Sequence, residues 1–211
     1  MRWTFMVAVW IAVSIAPRAI CADVTPVQVS LCNPGQLFSD KWEVCGLRLN
    51  ILYGNNRNVY GLDVGVINRV TGNCAGIQIA GLVNMNDADM MGIQIAGLIN
   101  TNAAGMIGIQ IAGLVNDSYS ARGVQIQTGL IGGNRAQQVT GVQIALAISQ
   151  NRASDMTGVQ LAPLFNKADH MKGLQIGLVN IAGKMSGVQI GLANIIKESP
   201  VAFFPIVNAH F

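Results

Sequence analysis

The side chains that most often carry catalysis are few in this chain, and its two histidines belong to no motif. His170 stands in a polar segment between apolar runs, and His210 precedes the C-terminal Phe211. Serine nucleophiles need a histidine base that a third polar group orients, and neither histidine has such neighbours in the sequence. The sequence therefore predicts exposed histidines, no catalytic residue and a protein that is not an enzyme.

One group of oxygen-bearing side chains suggests a calcium site. Asn84, Asn86, Asp87 and Asp89 lie within six residues, and Ca²⁺ prefers carboxylate and amide oxygens. Their spacing matches neither the EF-hand loop nor the glycine-rich calcium repeat, so solvated turn residues are the favoured interpretation. We accordingly predict no metal site and no cofactor.

Sulfur-bearing and paired charged side chains fit structural roles. Arg48 and Asp63 replace glutamine at equivalent positions of adjacent repeat units, which predicts an ion pair between the units. Five methionines recur two residues before a glycine, and we expect them to fill a core because no His or Cys accompanies them as a copper ligand. They are Met90, Met106, Met156, Met171 and Met185.

The cysteines leave two interpretations open. Cys21 would be removed with a signal peptide, so the exported chain keeps Cys32, Cys45 and Cys74. Cys32 and Cys45 could form a disulfide that staples the N-terminal cap, with Cys74 buried as a small apolar residue. The alternative is three buried thiols. No spacing of cysteine and histidine suggests zinc.

An internal repeat dominates the sequence. The stretch Gly76–Asn84 returns almost unchanged at Gly92–Asn100 and Gly108–Asn116. Atypical copies at Pro26–Asn33 and Val201–Asn208 suit the ends of a stack, where an ordinary unit would expose an unpaired edge. Ten units begin with glycine, 14 to 18 residues apart: Gly46, Gly61, Gly76, Gly92, Gly108, Gly123, Gly141, Gly158, Gly173 and Gly187.

Alternation within each unit predicts strands. In the unit at Gly173, Leu174, Ile176 and Leu178 share one face of an extended chain, and the intervening residues share the other. From Gly76 onward every charged residue falls in a connector between strands. We therefore expect both strand faces to be shielded from water, or one of them to face lipid.

Two all-β architectures explain these features. The favoured one is a parallel β-solenoid of about twelve short coils with capping end units, in which equivalent amides stack about 4.8 Å apart as ladders. The alternative is a 12-stranded antiparallel outer-membrane β-barrel, which the low aromatic content of 6% and the short connectors disfavour. The predicted ladders are Gln78, Gln94, Gln110, Gln125, Gln143, Gln160, Gln175 and Gln189, and Asn84, Asn100, Asn116, Asn166, Asn180, Asn194 and Asn208.

The chain divides into an export signal and a repeat array. Residues 1–22 have a basic start, an apolar run and small residues before Ala22, which predicts a signal peptide. Residues 23–60 form an N-terminal cap and the first units, 61–200 the repeat array, and 201–211 a C-terminal capping unit. Removal of Arg2 and Arg18 lowers the formal charge from +3 to +1. No basic cluster points to nucleic acid.

The run from Cys45 to Asn68, followed by Gly-Ile-Gln-Ile-Ala-Gly-Leu-Val-Asn units, resembles the leptospiral-type surface-repeat proteins. This bacterial family contains exported, largely uncharacterised proteins, and the resemblance covers the chain from about Val27 to Phe211. It implies an outer-membrane or cell-surface location and supplies no catalytic residue, ligand or partner. The departures at Thr128–Gly129 and at Ala145–Ala147 predict a locally irregular stack.

The function expected from these features is that of a non-enzymatic envelope or surface repeat protein with a structural or interaction role. Its partner would be an envelope or external protein or glycan that the sequence does not identify, and membrane association is compatible with the pattern. The alternative is a small outer-membrane β-barrel that forms a pore.

Overall fold

The computed structural model describes residues 23–211, and all regular structure in this part of the chain is β-strand. The predicted signal peptide lies outside the described residues. No helix in 23–211 is long and apolar enough to cross a membrane. The strands are β1 (Val24–Cys32), β2 (Gly35–Gln36), β3 (Glu43–Asn56), β4 (Val59–Val70), β5 (Cys74–Asn86), β6 (Met90–Ala96), β7 (Ile99–Ala112), β8 (Val115–Gln127), β9 (Ile131–Ala145), β10 (Ile148–Leu161), β11 (Phe165–Ile176), β12 (Val179–Ile196) and β13 (Phe203–His210).

Consecutive units pair side by side in parallel, which confirms the β-solenoid. β3 to β12 follow one another through the sheet in chain order. Equivalent residues are direct neighbours; Gln78, Gln94 and Gln110, for example, are paired in sequence. The antiparallel barrel is wrong, because each connector returns the chain to the same starting side before the next strand begins.

Each coil has three short sides around a narrow interior. In the unit at Gly76, the inward residues are Gln78, Ala80, Asn84, Asn86 and Met90, all of them buried. This alternation is interrupted at the unit glycine, at Gly81–Leu82 and at Asp87–Asp89. We call the sides the glutamine side (76–80), the asparagine side (83–86) and the connector side (88–91), with the same names for the equivalent residues of other coils.

The unit glycines allow the coils to stack closely at one corner. All ten adopt positive φ, as at Gly108, where φ is +129°. A Cβ atom built on Gly108 would lie 2.0 Å from the carbonyl oxygen of Gly92. This corner therefore requires glycine for both its backbone conformation and its space.

The two ends are closed by different strands. β1 pairs in parallel with β3 and turns back into the short antiparallel β2. β13 runs antiparallel to β12 and places Asn208 opposite Gln189. The sequence predicted about twelve coils. The structure has ten coils that start with glycine, one parallel strand at the front and one reversed strand at the back.

The two longest units keep their interior register. Asn116, Asn134 and Asn151 are direct neighbours through β8, β9 and β10. Their extra residues move outward, and Leu130 and Ile131 are 76% and 69% exposed. The irregularity predicted at Thr128–Gly129 and at Ala145–Ala147 is therefore a surface bulge on a continuous stack.

A column of buried apolar side chains lies at the connector side of the interior. It confirms the prediction for the methionines, since all five are at most 5% exposed and lie in two buried clusters. Cys74 is a buried member of the same column, whereas Cys32 is exposed and Cys45 is half-buried. All three are free thiols, so neither the proposed disulfide nor the set of three buried thiols is observed.

Candidate functional site

The eight predicted glutamines form one continuous column inside the solenoid. Each Nε2 donates to the Oε1 of the glutamine in the preceding coil, through seven hydrogen bonds of 2.7 to 2.9 Å. All eight side chains are at most 1% exposed. Buried amides require partners, and the 4.8 Å strand spacing of parallel sheets supplies one for each glutamine.

The asparagines form a second column whose hydrogen bonds run in the opposite direction. Nine bonds of 2.7 to 3.0 Å lead from Asn50 to Asn194, and each Nδ2 donates to the asparagine of the following coil. The second N–H of most members reaches a backbone carbonyl at the next corner, as from Asn84 to Ile95 at 2.8 Å. The dipoles of the two columns therefore oppose each other. The asparagine amides also donate to backbone carbonyl groups at the corner, where the hydrogen-bond ladder between strands is interrupted.

The membership of this column differs from the prediction at five positions. Asn50, Asn68, Asn134 and Asn151 belong to it. Asn208 does not, because β13 is reversed and Asn208 lies opposite Gln189 on the glutamine side. Asn134 and Asn151 were missed because insertions after Gly123 and Gly141 move them three and two residues further along the chain; the spacings of 18 and 17 residues were the available signal.

A buried ion pair closes the N-terminal end of both columns. Arg48 donates Nε and an η nitrogen to the two carboxylate oxygens of Asp63, at 2.7 and 2.6 Å. Gln78 and Asn50 also donate to Asp63, at 2.9 and 3.0 Å. Asp63 thus accepts the free N–H end of the glutamine column and the second N–H of Asn50. A negative charge is favourable at that N–H end for the same reason as at a helix N-terminus.

A third polar column occupies only the N-terminal half of the interior. Asn86, Asn102 and Ser118 are direct neighbours, and each bonds the glutamine of its own coil, as from Asn102 to Gln94 at 3.0 Å. Further along, the same position holds alanine, as at Ala136. The interior therefore contains three polar columns in its N-terminal half and two further along the stack.

Burial next to this polar end affects one thiol. It raises the pKa of Cys74 to about 12, chiefly by desolvation of the thiolate and secondarily through the negative charge of Asp63. A thiol with so high a pKa stays protonated at neutral pH and is a poor nucleophile.

The candidate calcium ligands do not converge. Asn84 and Asn86 point into the interior amide columns. Asp87 pairs with Arg69 at 2.9 Å on the surface, and Asp89 accepts the backbone N–H of Gly105 at 2.8 Å. Among residues 23–211 no cluster of three or more His, Cys, Asp or Glu side chains is placed to hold a metal ion.

The histidines also occupy separate positions. His170 is exposed beside Asp155 and Lys184 in neighbouring strands. His210 is half-buried, and its Nδ1 lies 2.9 Å from the carbonyl oxygen of Met185. Neither position brings a histidine to a nucleophile.

The outer surface contains two adjoining grooves, the first on the connector side and the second at the corner between the asparagine side and the connector side. The first has a volume of about 670 Å³ and is lined by Ala75, Met91, Ile107, Tyr60 and Tyr119, among others. Ala75, Met91 and Ile107 are equivalent residues of successive coils and stand side by side.

The second groove shares Tyr119 with the first and is mainly polar. Arg135, Arg152 and Lys167 line it from three successive coils. Their backbones are about 4.8 Å apart, so these like charges repel unless negative or polar groups lie between them. Asp117 stands opposite Arg135, and Asp87 and Asp169 also line the groove, so its acidic and basic side chains are equal in number. Such a surface can bind a polar partner.

Comparison with known proteins adds no assignment. No family model, curated protein or solved structure matches this chain.

Proposed function

We propose that this protein is a non-enzymatic repeat protein of the cell envelope that binds an envelope or external partner through the two grooves on its connector and asparagine sides. The proposal includes export through residues 1–22, a location at the outer membrane or cell surface, and a relationship to the leptospiral-type surface-repeat proteins. The second groove, lined by polar residues and by equal numbers of acids and bases, fits a protein or a glycan with polar groups.

The observation that carries the proposal is the contrast between repeated and variable positions. The repeated Gln and Asn side chains point inward and bond one another, so an external ligand cannot reach them. Variable residues point outward on the connector side, where a row of equivalent positions reads Ala75, Met91, Ile107. Recurring residues thus support the stack, and changing residues give each coil a distinct surface.

Tyr119 lies at the centre of the proposed binding surface. It is half exposed and lines both grooves. Tyrosine and arginine are the residue types that most often dominate interfaces, because they combine a large contact area with hydrogen bonding. A partner that covers Tyr119 would contact the apolar floor on one side and Arg135 on the other.

Site-specific photo-crosslinking tests this proposal in cells that make the protein. A photoreactive phenylalanine analogue at position 119 should capture the partner, whereas the same group at Ser186, exposed on the connector side but outside both grooves, should not. Equal capture at both positions, or none at 119, would contradict the proposal. Fractionation and surface proteolysis of the same cells test the envelope location separately.

A further inference from the structure

The glutamine side presents a continuous aliphatic surface on its outside. The residues one and three positions after each unit glycine are Val, Ile or Leu in all ten coils, and Val27 and Val29 extend the same rows into β1. None of these 22 side chains is buried, and all point away from the amide interior. They are Val27, Val29, Leu47, Leu49, Leu62, Val64, Ile77, Ile79, Ile93, Ile95, Ile109, Ile111, Val124, Ile126, Val142, Ile144, Val159, Leu161, Leu174, Ile176, Val188 and Ile190.

A row of leucines widens this surface at the adjoining corner. Eight coils place a leucine there, each between 39% and 76% exposed: Leu82, Leu98, Leu114, Leu130, Leu146, Leu164, Leu178 and Leu192. We call the 22 aliphatic residues and these eight leucines together the aliphatic face. The face contains no polar or charged side chain, and all of its side chains are at least partly exposed in the part of the chain that the structure describes.

The size of the aliphatic face matches that of a protein interface. Eleven strands about 4.8 Å apart, and about five residues of ~3.3 Å across, give a rectangle of roughly 50 by 16 Å. Two such faces would bury on the order of 1,600 Å², which is the usual total for a stable complex. Isolated monomers rarely expose contiguous apolar areas this large.

We propose that the aliphatic face is the interface of a homodimer, covered by the same face of a second copy. A face built from equally spaced rows is complementary to itself, since the rows of one copy fit between the rows of the other. Two flat sheets packed in this way form the layers of a β-sandwich, about 10 Å apart. A twofold axis in the interface makes both copies equivalent and closes the assembly.

The dimer leaves the connector side open. Met91 and Ile107 lie beyond the glycine corner from the aliphatic face, on the floor of the first groove. Each dimer would therefore present two copies of both grooves. The homodimer does not rest on the proposed binding function, because its evidence comes from a different side of the solenoid.

Two isoleucines on either side of one glycine provide a matched test. Ile109 lies on the aliphatic face and is 38% exposed, whereas Ile107 lies on the connector side and is 49% exposed. Ile109→Lys inserts a charge into the centre of the interface and should weaken self-association roughly tenfold or more. Ile107→Lys adds the same charge outside the interface and should leave the dimer intact.

The measurement is sedimentation equilibrium of the exported form, residues 23–211, at micromolar concentration, with circular dichroism to verify β structure. Wild type and Ile107→Lys should show twice the chain mass, and Ile109→Lys the single mass. If Ile109→Lys does not fold, Leu114→Lys, at the leucine corner, replaces it with the same expected result. A single-chain wild type, or equal masses for the two isoleucine variants, would overturn the proposal. A wild type that has the mass of a single chain and floats with phosphatidylcholine and phosphatidylglycerol vesicles would also overturn it, because lipid would then cover the aliphatic face.

Discussion

At the scale of the residue, the environment of Cys74 makes a specific contribution to stability. The pKa of this thiol is about 12 in the folded protein because burial disfavours the thiolate, and in an unfolded chain it is about 8.5. The folded pKa is the higher one, so this contribution is fully present below pH 8.5 and is lost as the pH rises towards 12.

Replacement of Cys74 by valine should remove that pH dependence. Valine occupies the equivalent positions Val44 and Val59 in the same buried column, so the variant should fold. Between pH 9 and 11 the free energy of unfolding of the wild type should fall by about 1.4 kcal/mol per pH unit more than that of Cys74→Val. Urea unfolding across this range measures the difference, and parallel pH profiles for the two proteins would contradict the assignment.

The Arg48–Asp63 pair gives a second prediction at the residue scale. Arg48→Gln leaves the buried carboxylate without its cation and should lower the free energy of unfolding by about 3–5 kcal/mol. The double variant Arg48→Gln/Asp63→Gln should recover most of the loss, because it extends the glutamine column towards the buried Gln28, which pairs with position 48. Denaturant unfolding compares them, and a double variant as unstable as the single one would contradict the role of the pair as a column end.

At the scale of the element, the unit glycines define where each coil can turn. Gly108→Ala would bring a Cβ to 2.0 Å from a backbone oxygen at positive φ, and it should cost about 3 kcal/mol or more. Gly81→Ala is the matched control, since its Cβ would meet nothing closer than 3.8 Å and should change stability by less than about 0.5 kcal/mol. Thermal unfolding checks both, and equal effects would show that the glycine corner is not constrained.

Much of the element-level structure could be predicted from the sequence, for identifiable reasons. Nearly identical units at nearly constant spacing imply that each unit repeats the structure of the previous one, shifted along the stack. Parallel stacking satisfies this condition, and it places Gln94 beside Gln110. Asn134 was hidden because an insertion displaced it along the chain while the backbone returned to the same register. The prediction placed Asn208 in the asparagine column because the sequence of the turn before Phe203 does not reveal that this turn reverses the direction of the strand.

The grooves and the direction of the amide bonds could not be predicted from the pattern. A groove depends on which connector side chains stand side by side after folding, as Ala75, Met91 and Ile107 do in the first groove. The direction of the hydrogen bonds in an amide column depends on the group at the end of that column. Asp63 only accepts hydrogen bonds when ionised, so it orients the glutamines towards the N-terminal end.

At the scale of the whole molecule, the solenoid reverses the usual distribution of side chains. Amides form columns through the interior, aliphatic residues cover one outer side, and the Arg48–Asp63 pair is the buried ion pair among the described residues. Because each coil contacts only its neighbours, stability accumulates from one coil to the next. The amide columns connect all of the coils, so an interruption in the middle should weaken the entire stack.

The most direct test of this account is the thermal and urea unfolding of Gln110→Leu, compared with Gln138→Leu. Gln110 is buried and accepts bonds from Gln125 and Ser118, whereas Gln138 is exposed in the neighbouring part of the stack. Loss of Gln110 leaves these buried donors unsatisfied and should lower the free energy of unfolding by about 2–4 kcal/mol, and Gln138→Leu should leave it unchanged. If Gln110→Leu folds with the stability of the wild type or better, the amide column does not hold the coils together.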